Sequence, residues 1–414
     1  MTETNWAGNH VYGADTIHRP ANLDELREVV TSASQLRGLG TRHTFNDVGE
    51  AKTLVSLAGF EPAMEFDHES MTASVSPSVR YGEFASALHQ AGLALHNMGS
   101  LPHISVGGAT ATGTHGSGDR NRNLSSAVCG IELMTSDGEI VTVRRGDPDF
   151  DGMVVHIGAL GVVTRLTFDV QPTFDVYQEV FEGLSWEALN GHFDEVTSSG
   201  YSVSIFTMYE EDAGVLWRKH RLKAGEQPGE FESWGATPSA ANRHPVGELS
   251  GDACTEQMRV PGPWCERLPH FLIDRTPASG EEIQSEYFVD RAHAVDAINQ
   301  LRALRSEMGD LFMIGEIRTL AQDDLWLSMA HGRETVAFHF SWFMDPAGLA
   351  SLQPKLDALF AEFDARPHWG KTSAYAGEYL ERVYPKYGAF RDLRRRMDPR
   401  GVFVTPFLER AGLV

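Results

Sequence analysis

Cysteine, basic side chains and long apolar runs are all scarce in this sequence. Its 414 residues include 3 cysteines, 35 Lys or Arg and 57 Asp or Glu, which gives a formal charge of −22. So few cysteines, without C-x-x-C spacing, exclude a disulfide framework and fit a reducing compartment. The negative charge repels phosphate backbones and anionic lipids, so we expect neither a nucleic-acid partner nor a membrane partner.

Several familiar signals are missing as well. The polar start, Met1 to His10, lacks the basic patch and apolar stretch of a signal peptide. No apolar run reaches the ~18 residues that a transmembrane helix needs. No H-E-x-x-H, zinc-ligand spacing or G-x-S-x-G elbow occurs, so we expect no metal site and no serine hydrolase. We therefore expect a soluble, cytoplasmic, monomeric protein, and most simply an enzyme.

Helix and strand signals alternate irregularly along the chain. Asn22, a good N-cap with Glu25 three residues on, predicts a helix from Asn22 to Leu36. A second helix is predicted from Tyr81 to Leu88, closed by Gly92, and a third from Arg291 to Met308. Strands are predicted at Thr53–Leu57, Thr72–Ser76, Gly130–Thr135, Ile140–Arg144, Val162–Val170, Tyr201–Tyr209 and Thr335–Phe343. This order favours an α+β fold over a regular βαβ alternation.

The segment Gly38 to Asp47 is the first candidate for binding chemistry. Gly38 and Gly40 would let backbone N–H groups approach a diphosphate, and Thr41 and Thr44 add hydroxyl donors. The segment is neither a Rossmann fingerprint nor a P-loop. Taken alone, it is more simply explained as an ordinary glycine turn between a helix and a strand.

The segment Gly99 to Gly118 contains no Asp, Glu, Lys or Arg. It is too poor in large apolar residues to predict a core helix. Its last part, Gly107 to Gly118, holds five glycines and four hydroxyl residues. Such a set of small neutral donors suits a polyphosphate ligand. The alternative is a tight glycine-rich turn packed under a sheet.

A third group of polar residues is scattered through the second half of the chain. Glu316 and Arg318 flank Ile317, while His339 and Ser341 flank Phe340, so each pair would share one face of a strand. An isolated Glu–Arg pair is often only a structural ion pair. The sequence alone does not bring these residues together with His368 and Lys371.

The two glycine segments together resemble a known family. The runs Gly40 to Asn46 and Ser100 to Gly118 are similar to motifs of the bacterial alditol oxidases, which are flavoproteins of the vanillyl-alcohol-oxidase superfamily. The resemblance extends from Asn5-Trp6-Ala7-Gly8-Asn9 to the C-terminus. It includes Gly158–Thr164, Thr255–Gln257, Val260–Trp264, Glu316–Thr319 and Arg366–Lys371.

The resemblance implies a two-domain fold that holds FAD. Residues 1–172 would form an FAD-binding domain of two α/β subdomains. Residues 173–365 would form a substrate-binding cap with an antiparallel sheet flanked by helices, and 366–414 would return to the flavin. His43 would be bonded covalently to the isoalloxazine 8α-methyl. The other residues implied for the cofactor are Gly38, Leu39, Gly40, Thr41, Arg42, Thr44, Ser105, Thr110, Gly113, Thr114, His115, Gly116, Ser117, Gly118, Gly161, Val162 and His368.

The resemblance also gives the scattered polar residues a role. The residues implied for the substrate pocket are Ser105, Glu316, Arg318, His339, Ser341 and Lys371. Lys371 and Arg318 would stabilise alkoxide character, His339 would accept or relay the proton, and Glu316 would accept hydrogen bonds from substrate hydroxyls. The implied reaction oxidises the terminal hydroxyl of xylitol or sorbitol to the aldose. Hydride passes to flavin N5, and dioxygen becomes hydrogen peroxide.

Two alternatives remain open at this point. Sugar-1,4-lactone oxidases and dehydrogenases share this superfamily and a Glu/Arg pair. A noncatalytic flavin- or sugar-binding protein is a further alternative, although Lys371, Arg318 and Glu316 are all present. Ser341 stands where the resemblance implies threonine, so the pocket has one methyl group fewer, which could alter the polyol preference.

Overall fold

The N-terminal part of the chain forms three small sheets with short helices between them. The structure, a computed structural model, describes residues 3–223, 225–247, 249–275 and 282–414. Its first elements are β1 (Thr16–His18), α1 (Leu23–Ser32), β2 (Leu36–Gly38), β3 (Thr53–Val55), β4 (Met64–Asp67), β5 (Thr72–Val75), α2 (Tyr81–Gln90), β6 (Leu93–Ala94), α3 (Val106–Thr112), β7 (Val128–Met134), β8 (Ile140–Arg144), α4 (Phe150–Val154), β9 (Val162–Asp169) and β10 (Gln171–Pro172).

Local sequence signals explain most of these elements. The Asn22 side chain accepts hydrogen bonds from the backbone N–H groups of Asp24 and Glu25, as an N-cap does, so the predicted start of α1 is confirmed. Strands β1, β3 and β2 form a parallel sheet, and β4-β5-β9-β7-β8 form an antiparallel one. The parallel sheet ends at Gly38 and therefore delivers the first glycine segment to one edge.

The second part of the chain is built on one large sheet. Its elements are β11 (Asp175–Leu184), α5 (Trp186–Gly191), α6 (Phe193–Thr197), β12 (Ser202–Thr207), β13 (Gly214–Leu222), β14 (Thr237–Pro238), β15 (Gly262–Pro263), α7 (Trp264–Arg267), β16 (Glu282–Asp290), α8 (Ala294–Met308), β17 (Phe312–Leu320), β18 (Thr335–Phe343), α9 (Pro346–Ala361), β19 (Arg366–Pro367), α10 (Gly377–Val383), α11 (Tyr387–Met397) and α12 (Pro406–Arg410). The antiparallel order is β14-β11-β13-β12-β17-β18-β16-β19.

Strand β18 shows how the large sheet separates core from site. Phe338, Phe340 and Trp342 point to one face, where they pack with α5, α6, α8 and α9. His339 and Ser341 alternate with them and point to the opposite face, where they line a cavity. Both faces of β18 are buried up to Trp342. The two-domain α+β fold with helices against an antiparallel sheet is confirmed, while the boundaries after residues 172 and 365 stay predictions.

The expectation that Gly99 to Gly118 holds no core helix is wrong. Val106–Thr112 forms α3, and Val106, Ala109, Thr110 and Thr112 are buried in it. Small side chains allow this because α3 packs against Pro77 at close range: a Cβ on Gly107 would lie 2.6 Å from the Pro77 Cβ and 3.1 Å from its carbonyl oxygen. Tertiary packing of small residues therefore replaces the large apolar stripe that the sequence lacks.

The predicted end of the first helix at Leu36 is wrong, because α1 ends at Ser32 and Leu36 begins β2. The other predicted elements agree with the structure to within a few residues. Strand Thr335–Phe343 has the predicted bounds, and the helix predicted from Arg291 begins at Ala294 after one 3-10 turn. In the described part of the chain, no helix is both long and apolar enough to cross a bilayer.

Candidate active site

One cavity connects the glycine segments with the large sheet. Its volume is about 510 Å³. The first glycine segment lines it from Gly38 to Phe45, and the large sheet contributes residues of β16, β17 and β18. All six residues predicted for the substrate pocket line this cavity: Ser105, Glu316, Arg318, His339, Ser341 and Lys371. The structure thus brings together residues that are up to 266 positions apart (371 − 105).

Contacts with Ser105 fix the conformation of the first glycine segment. The Ser105 backbone N–H donates to Thr41 Oγ1 at 2.9 Å, and the Thr41 N–H donates to Ser105 Oγ at 3.4 Å. A Cβ on Gly40 would lie 2.4 Å from Ser105 Oγ, so only glycine fits there. Arg42 has a φ of 61°, a left-handed conformation that favours glycine. This turn places His43 at the cavity wall.

His43 has the properties of a nucleophile toward a bound group. Its Nδ1 is buried and has no hydrogen-bond partner among the described residues. Burial, together with the smaller effect of the neighbouring His103, lowers the pKa of His43 to about 4, so the imidazole is neutral at pH 7. A buried nitrogen with an unused lone pair is costly unless a ligand satisfies it. The residues at this end of the cavity therefore fit a covalently tethered group.

The second glycine segment contributes part of the cavity wall and part of its support. Wall residues among those predicted for the cofactor are Ser105, Thr114 and His115, together with Gly161, Val162 and His368 from later segments. The structure does not bring Thr110, Gly113, Gly116, Ser117 or Gly118 to the wall. They lie behind it: a Cβ on Gly116 would be 2.3 Å from the Met98 carbonyl oxygen, and Ser117 Oγ lies 2.6 Å from Ser202 Oγ.

A row of polar side chains crosses three neighbouring strands at the far end of the cavity. In the register of the sheet, Glu286 on β16 pairs with His339 on β18, which pairs with Glu316 on β17. The next pair on this face brings Ser341 beside Gln284. Directly opposed residues of antiparallel strands have Cβ atoms about 5 Å apart, so this row is one compact site.

Glu286 is the centre of a buried charge network. Its carboxylate accepts from Arg318 Nη2 at 2.5 Å and from Lys371 Nζ at 2.7 Å, and it lies 3.2 Å from His115 Nε2. Burial alone would raise the pKa of Glu286, but Lys371, His115 and Arg318 hold it well below its usual range. Glu286 is therefore ionised, and it compensates the two cations in the cavity wall.

Burial makes the nearby histidines neutral. It lowers the pKa of His339 well below its usual value, and the positive charge of Lys371 adds to the effect. The same two causes act on the pKa of His368. Lys371 itself has a lowered pKa because it is buried, although Glu286 opposes the shift. At pH 7 the site thus presents neutral imidazoles beside compensated charges.

A second buried chain of contacts ends at Glu316. Lys219 Nζ lies 3.1 Å from His270 Nδ1, and His270 Nε2 lies 3.0 Å from Glu316 Oε1. Because the ionised Glu316 carboxylate only accepts, His270 Nε2–H donates to it, and Nδ1 of the neutral ring is left to accept from Lys219. Arg318 Nε is 3.5 Å from the other Glu316 oxygen. Glu316 is thus held from both sides as an ionised acceptor.

Sequence reasoning missed Glu286, His270 and Lys219. One signal could have found Glu286: Ile283, Tyr287 and Val289 recur at every second or fourth position, as on the core face of a strand, and Glu286 would then lie on the opposite face. His270 and Lys219 carry no comparable local signal, since they meet Glu316 only in the folded chain.

Three of these residues are close enough to resemble a metal site. Ligand atoms of His115, Glu286 and His368 lie within 4.8 Å of one another. Both Glu286 oxygens already accept from cations, so a metal ion would face the positive charges of Arg318 and Lys371. Electrostatics therefore favour a hydrogen-bonded cluster over metal binding at this position.

Comparisons with known proteins agree with this geometry. Residues 14–144 match the family model described as FAD binding domain, and residues 278–411 match that of D-arabinono-1,4-lactone oxidase. The crystal structure of cholesterol oxidase from B. sterolicum superposes with a TM-score of 0.78 at 14% identity, covering 99% of this chain and 96% of that one. Fold and site together define an oxidoreductase with an FAD-binding domain of the vanillyl-alcohol-oxidase type.

Two relatives in sequence show to which family of these oxidoreductases the chain belongs. The chain is 43% identical to the alditol oxidase of Streptomyces sp. over 98% of its length and 97% of the relative's length. It is 26% identical to the L-gulono-1,4-lactone dehydrogenase of Mycobacterium tuberculosis, covering 98% of both chains. The chain therefore belongs to the alditol oxidase family.

Proposed function

We propose that this protein oxidises the terminal primary hydroxyl of alditols, such as xylitol and sorbitol, to the aldose, with dioxygen as the electron acceptor. The observation that carries the proposal is the charge balance of the site. Glu316 and Glu286 offset Arg318 and Lys371, so these four residues offer many hydrogen-bonding groups but carry no net charge between them. Such a site suits a ligand with many hydroxyls and no charge of its own.

The proposed cofactor is FAD, attached through His43. Bound FAD supplies a two-electron acceptor that takes hydride from the carbinol carbon and passes the electrons to dioxygen, giving hydrogen peroxide. The residues that would hold it are the first glycine segment, α3 with the loop that follows it, and Gly161 and Val162. The unpartnered His43 Nδ1 is the atom available for the bond.

The proposed catalytic roles follow from the charges of the wall. A primary alcohol is a very weak acid, so its oxygen needs positive charge beside it as the proton leaves. Lys371 and Arg318 supply that charge in a site shielded from water. The neutral imidazole of His339 can accept or relay the proton. Glu316 accepts hydrogen bonds from substrate hydroxyls, and Ser105 and Ser341 can donate or accept.

The substrate class is tested by mixing the purified protein with each candidate substrate under anaerobic conditions. Xylitol or sorbitol should bleach the flavin absorbance of the purified protein, and admission of air should restore it with formation of hydrogen peroxide. The match of residues 278–411 to the lactone oxidase model favours a sugar-1,4-lactone as the second candidate. Bleaching by the lactone but by neither polyol would replace the proposed activity with that one.

Acid precipitation tests the attachment. We expect the wild-type band on a denaturing gel to fluoresce under ultraviolet light after precipitation, and the His43→Ala band to be dark. The matched control is His103→Ala, because His103 is a neighbouring histidine that forms no part of the first glycine segment. A fluorescent His43→Ala band would show that the tether lies elsewhere.

A further inference from the structure

The segment before the first strand clamps the loop that carries His43. We call residues 5–9 the N-terminal clamp. Asn5 Nδ2 donates to the Thr44 carbonyl at 2.8 Å, and Asn9 Nδ2 donates to the Phe45 carbonyl at 2.9 Å. Asn5 Nδ2 also lies 2.6 Å from Asn9 Oδ1, which couples the two side chains. The clamp thus satisfies two consecutive carbonyls directly after His43.

Trp6 completes the clamp on the other side of His43. Its backbone N–H donates to the Arg42 carbonyl at 2.8 Å. Its ring stacks on the His43 imidazole with centroids 5.2 Å apart and an interplanar angle of 20°. Three carbonyls around His43 are therefore fixed by one short segment, and the imidazole plane is fixed by an aromatic face.

The Trp6 ring is the aromatic contact that restrains the imidazole, beside a backbone contact at Thr41. Nδ1 has no hydrogen-bond partner among the described residues, so rotation about the Cβ–Cγ bond is limited mainly by packing. Bond formation by this nitrogen requires its lone pair to be aimed at one carbon atom at close range. A ring held in one plane loses less entropy in reaching that geometry than a ring free to rotate.

We propose that Trp6, held by the N-terminal clamp, orients the His43 imidazole for covalent attachment of FAD. Trp6 is thus a positioning residue for that step, and the inference rests on the proposed attachment at His43. In the step, Nδ1 forms a bond to the 8α carbon. The imidazole and the methyl group each release one proton, the flavin accepts the electron pair, and dioxygen removes it as hydrogen peroxide.

The test compares Trp6→Leu with Trp6→Phe and the wild type. Samples of each variant are taken at intervals while the protein is loaded with FAD and are precipitated with acid, and the flavin in the pellet is divided by the total flavin at each time. We expect Trp6→Leu to retain FAD noncovalently but to attach it at least about tenfold more slowly, whereas Trp6→Phe keeps an aromatic face and restores most of the rate. Val11→Ala, on the same segment but exposed and outside the clamp, should attach FAD normally.

The outcomes separate the inference from the proposed attachment. A wild-type pellet without flavin overturns the attachment itself. Wild-type and Trp6→Leu pellets that acquire flavin at the same rate overturn only the role of Trp6. Loss of thermal stability with unchanged attachment would show a merely structural contact and also overturn it. If Trp6→Leu does not fold, Trp6→Met decides, because methionine fills much of the same space without an aromatic face to stack on His43, and attachment at the wild-type rate in that variant overturns the role of Trp6.

Discussion

Replacement of Glu286 by glutamine probes the charge network most directly. The carboxylate accepts from Arg318 and Lys371 through its two oxygens. Glutamine preserves the shape but replaces one oxygen by an NH₂ group, which cannot accept. One buried cation therefore loses its acceptor; Lys371 loses its counter-charge, whereas Arg318 keeps Glu316 at 3.5 Å. Breaking a buried ion pair in this way costs about 3–5 kcal/mol of the free energy of unfolding.

The same substitution should alter the rate of flavin reduction. Burial lowers the pKa of Lys371 while Glu286 raises it, so without Glu286 the pKa falls further and the proton is lost at lower pH. A hydrogen bond between charged groups contributes about 1.5–3 kcal/mol, so we expect reduction by xylitol to slow by about 10- to 100-fold at neutral pH. The loss should deepen as the pH rises, since fewer Lys371 side chains remain protonated.

Stopped-flow measurement of flavin bleaching under anaerobic conditions, at several pH values, is the assay. The chain offers a matched control in Glu179, a buried carboxylate that Arg218 and His220 contact at 2.7 and 3.0 Å, outside the cavity. Glu179→Gln should lower stability by a similar amount and leave flavin reduction unchanged. The reasoning is refuted if Glu286→Gln reduces flavin at the wild-type rate, or if the control slows it equally.

Two further substitutions test the buried lysine and the first glycine segment. Burial lowers the pKa of Lys219 from 10.5 to about 7, so the unfolded chain binds more protons between these values and wild-type stability rises with pH there. The free energy of unfolding, measured with urea, should therefore benefit more from Lys219→Met at about pH 6 than at about pH 9. An equal change at the two pH values would contradict the lowered pKa of Lys219. A Cβ on Gly38 meets no protein atom within 4 Å, so Gly38→Ala should keep the apoprotein's melting temperature but lower the molar ratio of flavin to protein in the purified enzyme. The control is Gly191→Ala, which is equally unobstructed but lies outside the cavity and should retain FAD. If both variants contain the same amount of FAD, the cofactor does not lie against Gly38.

The sequence alone determined the features that depend on neighbouring residues. The capping of α1 by Asn22 and the alternation of His339 and Ser341 with Phe340 are set within a few residues, so pattern reasoning reached them. The glycines mark positions where backbone must approach closely, as Gly40 does at Ser105. The resemblance to alditol oxidases could also be recognised from the sequence, because the motifs that carry it are contiguous runs of residues.

The tertiary structure decided which groups compensate the charges and which residues hold His43. Glu286 stands 32 positions before Arg318 and 85 before Lys371, and no local pattern links residues so far apart. Trp6 reaches His43 only when the clamp folds back on the loop. The physical reason is that burial and charge pairing are properties of contacts between distant strands, whereas a sequence pattern records only the preferences of adjacent residues.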